Sequence, residues 1–492
     1  MTPLSVLFIA LSYFGLLFLI SFATSSDSSD DAFFVGGKKS PWYLVAFGMI
    51  GASLSGLTFI SVPGSVKDAQ FDYMQMVFGY LLGYLIIGAV LMPIYYRLNL
   101  TSIYTYLEKR LGFYAYKTGA AFFLISRVIG AALRLYLVAA VLQLAIFSAW
   151  DIPFAATVAI TILLIWLYTF RGGIRTIVFT DSLQTLFMLL ALVFTIVAMC
   201  NQLNFGFADL FKAVSNSNYS QVFFWDFKLG NNFFKQFFSG AFIAIVMTGL
   251  DQDMMQKNLS CRSLGDAQKN MFWFSIILVF VNFIFLVLGA LLFIYMDAKG
   301  IAMPERIVNG IAKPASDLLF PTIALNHMPF LVGTTFFIGL LAAAYSSADS
   351  ALTALTTSFC VDFLDFEKGK SNRGTRYIVH ICFSILLFCV ILIYNQLAND
   401  ALIWDIFRAA MFTYGPILGL FSFGILTNRK VYNNFLVVLV CVAAVVISYF
   451  VNKSGTNLDG FEFGFLILPL NGLLTFLGLL LISYKSKGSV IR

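Results

Sequence analysis

Apolar residues come in blocks of about twenty, separated by short polar connections, along almost the whole chain. A bilayer core about 30 Å thick takes about 20 helical residues per crossing. Blocks of that length predict thirteen spans, roughly 3–24, 43–63, 72–96, 118–148, 152–170, 176–201, 234–256, 271–296, 328–360, 377–396, 401–427, 431–451 and 463–484. The first has no basic stretch before it, and Ser25-Ser-Asp-Ser-Ser-Asp-Asp31 offers no small-x-small cleavage pattern, so it reads as a retained helix and not a leader. Of the 492 residues 60% are hydrophobic, 11% are charged and 55 are Phe, which suits lipid-facing and helix-packing surfaces. The expectation is an all-α, multi-pass protein of the plasma (cytoplasmic) membrane.

The charges orient it. Of 31 lysines and arginines, twenty fall in alternate connections, among them Lys38, Arg110, Lys257 and Arg376, and eight in the other set. Arg127, Arg134 and Arg408 lie within spans. Positive connections stay cytoplasmic, which puts the N-terminus outside and the C-terminus inside. The same split accounts for the net charge of +7 without a nucleic-acid partner. The six cysteines show no paired metal spacing, His327 and His380 have no ligand-spaced partners, and no hydrolase triad, P-loop or dinucleotide fingerprint is present. These patterns argue against an enzyme and an ATP-driven pump, and leave an ion gradient as the energy source. They say nothing of oligomeric state.

Two blocks of five spans stand out, 43–201 and 234–427, with 1–42 as a peripheral helix and loop, 202–233 as an extracellular loop, and 428–492 as two further helices and a tail. Each block opens on a span that should break. Gly51, Ser53, Ser55 and Gly56 crowd the first, and Phe238-Ser-Gly-Ala241 and Met247-Thr-Gly249 weaken the second. A broken span can turn freed carbonyls toward a cavity. Five plus five with broken leading helices points to inverted repeats around a midplane site.

Leu341-Ala-Ala-Ala-Tyr-Ser-Ser-Ala-Asp-Ser350 carries the densest chemistry. At 3.6 residues per turn Ala343, Ser346, Ser347 and Ser350 share one face, with Asp349 on its flank. Small residues admit a neighbouring backbone, hydroxyls offer neutral oxygens, and the carboxylate adds charge, a combination that suits Na⁺. An acid within the bilayer is costly and marks a functional site by default. The plainer reading, close helix packing by Ala and Ser, stands beside it.

Arg127 and Arg134 are seven apart, on one helix face, with Gln143 further along. A guanidinium suits bidentate carboxylate recognition, so one reading is an anionic substrate held by Arg134 or Arg127. The rival reading pairs them with Asp181, Asp349 or other acids, and Arg127 could also snorkel toward the interface. Asp405 and Arg408 are i, i+3 and read as a local ion pair.

The motifs resemble those of the sodium/solute symporter family, which includes sodium-coupled sugar, proline, sialic acid and iodide carriers. Arg171-Gly-Gly-Ile-Arg-Thr-Ile-Val-Phe-Thr-Asp181 is similar to its "GG…TD" turn, and Gly249-Leu-Asp-Gln-Asp-Met-Met-Gln256 to its "DQ…Q" element. Ala343-Ala-Tyr-Ser-Ser347 resembles its sodium-site helix, and Tyr414-Gly-Pro-Ile-Leu-Gly419 its late "GP" helix, so that order and spacing agree over about residues 1–430.

The resemblance implies a primary Na⁺ site made by backbone carbonyls of about Gly51 and Leu54, the carbonyl of Ala343 and the hydroxyls of Ser346 and Ser347. It implies a second cation site at Asp181 with Asp349 and Ser350. Asp349 stands where relatives carry a hydroxyl, and could strengthen a cation site, bind a proton or form a buried ion pair. For Asp181 a helix N-cap role with Thr180 is the plain alternative. Leu57 and Thr58 replace the Glu-Gln pair expected of sugar carriers, which speaks against a galactose-like pocket. Thr58, Tyr73 and Gln75 are the substrate candidates by position, with Arg134. The reading is a sodium-coupled symporter importing a small polar organic solute by alternating access, with Na⁺ as coupling ion and no organic cofactor. A proton-coupled carrier of the same fold, or a transport-inactive membrane sensor, are its rivals.

Overall fold

The computed structural model describes residues 3–24, 30–169, 173–308, 311–366, 372–397, 402–454 and 463–485. Almost everything in it is helix. The principal helices are α1 (Pro3–Thr24), α2 (Trp42–Ala69), α3 (Tyr73–Ile86, continued through Met92–Arg97), α4 (Phe113–Ala145), α5 (Phe154–Thr169), α6 (Gly173–Leu203) and α7 (Phe233–Ala244). They continue with α8 (Gln252–Leu259), α9 (Leu264–Lys299), α10 (Phe330–Asp362), α11 (Arg373–Leu397), α12 (Leu402–Leu426), α13 (Leu436–Ser454) and α14 (Ile467–Leu481). The strands are two small antiparallel pairs, β1 (Glu305–Val308) with β2 (Ile311–Pro314), and β3 (Arg429–Val431) with β4 (Ser483–Lys485).

Ten described helices are long and apolar enough to cross a membrane, or up to twelve with two bent pairs counted as spans. Thirteen were expected, and each expected span overlaps a helix. The one that falls short is α5, whose sixteen residues make about 24 Å at 1.5 Å per residue. Residues 170–172, which follow it and include Arg171 and Gly172 of the expected turn motif, lie outside the described set.

Both bent pairs are the spans that open the expected blocks. In α2 the helix breaks at Ser55, whose φ of 33° and ψ of 161° leave the helical region, and its halves meet at 55°. The second bend, 64°, lies between the segment Phe233–Gly249 and α8. It sits at the Met247–Gly249 end of the expected weak zone and not at Phe238–Ala241, which stays helical inside α7. The reason is packing. Gly240 lies so close to α3 that an added Cβ would stand 2.1 Å from the Met76 carbonyl oxygen, so the small residues there admit a neighbour and do not unwind the helix.

Capping side chains fix where the neighbouring helices start. Asn232 accepts from the amides of Phe234 and Lys235 at the start of α7, and Asp251 accepts from those of Asp253 and Met254 at the start of α8. Ser263 does the same for α9 through Asp266. Around these, α10 packs against α6, α4 and α2, and α9 against α2. The centre of the molecule is thus the break in α2, walled by α4, α6, α9 and α10.

Candidate functional site

The turn of α2 that ends at Ser55 contains Gly51 and Leu54. A helix end leaves about four carbonyls without intrahelical partners, and here those carbonyls end inside the protein, since Leu54 is buried. Gly51 is pressed against α6, donating its N–H to Thr185 Oγ1 at 3.1 Å. Past the break Gly56 meets α10, where an added Cβ would lie 3.2 Å from Ala344. The broken helix therefore meets α10 at Ala344, beside the Ala/Ser face. Ala343, Ser346, Ser347, Asp349 and Ser350 are all buried there.

Their oxygens have different partners. Ser346 Oγ donates to Asp181 Oδ1 at 2.7 Å, so α6 and α10 are joined at this point. Ser347 Oγ is buried with no hydrogen-bond partner among the described residues. Ser350 Oγ donates to the Ser346 carbonyl at 2.8 Å and reaches Asp253 Oδ2 at 3.3 Å. Asp349 accepts from the Tyr168 hydroxyl at 2.7 Å and from the Ser350 amide at 2.5 Å.

Asp181 is the ninth residue of α6 and not its cap, because that helix already begins at Gly173. The N-cap alternative is therefore overturned. Its other oxygen, Oδ2, lies 2.7 Å from Lys257 Nζ on α8, and both residues are buried. Lys257 was expected among the exposed cytoplasmic charges and is instead inside the site. A short helix of mostly polar residues reads as a loop-end element, and no periodicity reveals that it packs inward.

The two arginines of α4 separate. Arg127 pairs with Asp253 Oδ2 and lies 3.6 Å from Asp251 Oδ2, so it neither snorkels nor meets Asp181 or Asp349. Tyr414 of α12 donates to the same Asp251 oxygen. Arg134 is buried at its Nε, which has no hydrogen-bond partner. Gln143 is spent elsewhere: its Nε2 donates to the Ile152 carbonyl at 2.7 Å, tying α4 to the entry of α5.

Both arginines line a cavity of about 110 Å³ between α2, α3, α4, α7 and α9. Ser53, Leu54, Ser55 and Thr58 face it from the α2 break, and Tyr73 from α3. Of the expected substrate residues, Thr58, Tyr73 and Arg134 thus share one cavity. Gln75 does not join them. It is fully buried, donates to the carbonyls of Asp72 and Asn231, and accepts from the Phe224 amide at 3.1 Å, holding the loop that precedes α7.

Tyr80, Tyr84 and Asn282 are among the further residues that line the cavity. Tyr80 and Tyr84 follow Tyr73 at i+7 and i+11, so all three share a helix face, with the Tyr73 and Tyr80 hydroxyls 3.2 Å apart. Asn282 of α9 donates to the Leu278 carbonyl while its Oδ1 has no partner. The signal for Asn282 was a single amide inside an otherwise apolar span. The side chains of Leu57, Asp405 and Arg408 lie outside the described residues.

The "DQ…Q" amides act as ties. Gln252 bonds the 101–103 loop through the Ile103 amide and the Thr101 carbonyl, and Gln256 donates to the Phe34 carbonyl and Thr357 Oγ1. His380 is wedged between Thr356 and Thr169 hydroxyls in the apolar interior.

A helical membrane bundle with two bent spans around an arginine-lined cavity and a buried cluster of acids has the layout of a secondary transporter. The chain belongs to the sodium:solute symporter family, whose sequence model matches residues 33–440. It is 26% identical over 478 residues to the sodium/sialic acid symporter NanT of Aliivibrio fischeri, covering 92% of this chain and 88% of that one. It is likewise 26% identical over 440 residues to sodium-coupled monocarboxylate transporter 1 of Xenopus laevis, covering 84% and 67%. The fold is that of a solved Na⁺-coupled sialic acid symporter in a substrate-bound outward-open state, with a TM-score of 0.79 over 97% of each chain at 19% identity. The protein is a membrane-spanning, sodium-coupled solute symporter and not an enzyme.

Proposed function

We propose that this symporter imports a small polar organic solute bearing a carboxylate, drawn in with Na⁺ by alternating access. The observation that carries the reading is the division of labour between the arginines. Both Nε atoms are buried without a hydrogen bond, but the terminal nitrogens of Arg127 pair with buried acids, whereas Arg134 makes no ion pair among the described residues. A guanidinium that faces a cavity inside the protein with no acidic partner is costly, and a carboxylate is the ligand that matches its fork. Tyr73, Tyr80 and Tyr84 offer ring faces for the solute body, and Thr58 and the Asn282 amide offer polar contacts. The names of the relatives agree with an acid as cargo. At about 110 Å³ the cavity is smaller than the roughly 300 Å³ at which small-molecule sites begin, so its walls part to admit a sugar-sized solute.

For the coupling ion we propose the carbonyls of Gly51, Leu54 and Ala343 with the hydroxyls of Ser346 and Ser347. The Ser347 hydroxyl, buried without a hydrogen-bond partner among the described residues and about one turn along α10 from where Gly56 meets Ala344, supports that assignment. The chain divides into two inverted five-span repeats, 43–201 and 234–427, each led by one of the bent spans, with the N-terminus outside.

The test is uptake into proteoliposomes, with N-acetylneuraminate and lactate as acidic probes, galactose and proline as controls, and NaCl or choline chloride outside. Accumulation of an acid that needs Na⁺ at fixed pH supports the reading. Accumulation of galactose but neither acid overturns the cargo class, and uptake driven by a pH gradient without Na⁺ overturns the ion.

A further inference from the structure

The carboxylate of Asp181 has a protein partner on each oxygen: the Ser346 hydroxyl at 2.7 Å and the Lys257 ammonium at 2.7 Å. All three side chains are at most 2% exposed. They come from three elements, α6, α10 and α8. Asp349, on α10, lies within electrostatic reach of both Asp181 and Lys257. Two carboxylates within such reach repel unless positive charge stands with them, and among the described side chains the cation paired with Asp181 is Lys257.

An ammonium is a compact point charge with no fixed fork. It resembles an alkali ion in charge and shape and differs in being tethered. Burying it is tolerable only because its carboxylate partner stands so close. Its tether is α8, the segment beyond the 64° bend.

We propose that Lys257 is a built-in cation at the Asp181–Asp349 locus, so that the protein takes about one Na⁺ per cycle from solution and supplies the second positive charge itself. The inference rests on the sodium-coupled reading above. Because α8 lies past a bend, swinging it away from α6 withdraws the ammonium from Asp181. The locus is thus filled in one arrangement and vacated in the other, as an exchangeable ion would do, without any ion leaving.

The test counts ions on the purified full chain with ²²Na⁺ binding by scintillation proximity, and follows thermal unfolding in NaCl against choline chloride at equal ionic strength. The wild type should bind about one Na⁺. Lys257→Gln uncovers Asp181, so it should bind about two, and its lowered unfolding temperature should recover in NaCl but not in choline chloride. Asp181→Asn/Lys257→Gln removes both charges and should return to about one. A wild type that binds two overturns the proposal, and so does a Lys257→Gln protein that still binds one and melts alike in both salts. Should Lys257→Gln fail to fold, the wild-type count and the double variant decide. Absence of any sodium binding by the wild type overturns the coupling reading itself, and this inference with it.

Discussion

Arg127 and Arg134 lie one heptad apart on α4 and face the same cavity, yet among the described residues only Arg127 of the two has carboxylate partners, Asp251 and Asp253. Substitutions at the two positions should therefore fail in different ways. Arg134→Lys keeps charge but loses the fork, and a lost charge-assisted hydrogen bond is worth about 1.5–3 kcal/mol. The expected result is a 10- to 100-fold rise in KM for the acidic solute with an unchanged unfolding temperature. Arg127→Gln strands two buried acids, and breaking such a pair costs about 3–5 kcal/mol, so that protein should express poorly or melt early. Equal melting of both variants with equal KM would remove the distinction.

Ser346 and Ser347 are adjacent but should also separate. Ser347→Ala removes a hydroxyl with no protein partner, so apparent Na⁺ affinity should weaken about tenfold, or ~1.4 kcal/mol, while stability holds. Ser346→Ala removes the donor to Asp181 as well, and an unsatisfied buried group costs about 1–3 kcal/mol. Its unfolding temperature should drop in addition. Unaltered Na⁺ dependence in the double variant would take both residues out of the ion site.

How far the chain could be read in advance differs from site to site. The break in α2 was legible because Gly51, Ser53, Ser55 and Gly56 cluster within six residues, and Ser55 is where it falls. The face holding Ser346, Ser347 and Ser350 was legible from helical spacing alone. Lys257 and Asp253 were not, since their role comes from what α8 packs against, and that is a tertiary fact. Gln75 was misplaced for a related reason. Its position along α3 was right for a cavity, but the loop backbone at Phe224 and Asn231 claims its amide.

The seam between α3 and α7 makes a packing prediction. Gly79 and Gly240 oppose each other across it, and added Cβ atoms would stand 1.9 Å from the Phe237 carbonyl oxygen and 2.1 Å from that of Met76. Neither oxygen can move without its helix. Overpacking costs about 1–3 kcal/mol, so Gly79→Ala and Gly240→Ala should each lower the unfolding temperature, and the pair should add less than the sum because both spread one seam. Wild-type melting for both would refute the close approach.

Asp72 sits in the turn between α2 and α3, where burial pushes its carboxyl up to about 6. A folded-state value above the ordinary one, about 3.9, means that ionisation works against the fold. Relative stability is intact below about pH 4 and declines as pH rises through 6. Asp72→Asn cannot ionise, so it should melt like the wild type near pH 4 and later than it near pH 8. The same offset at both pH values would clear Asp72 of this effect.

The break at Ser55 is shared property. Ser53, Leu54, Ser55 and Thr58 line the cavity, while Gly51 and Leu54 belong to the same interrupted turn, just before Gly56 meets α10 at Ala344. If that turn also ligates the coupling ion, one loaded site pre-shapes the backbone that the other needs. Thermodynamic reciprocity then applies: whatever factor the ion adds to the affinity for solute, the solute returns to the affinity for the ion. Cargo and fuel would thus be linked by a few residues of unwound chain, with no long relay between them.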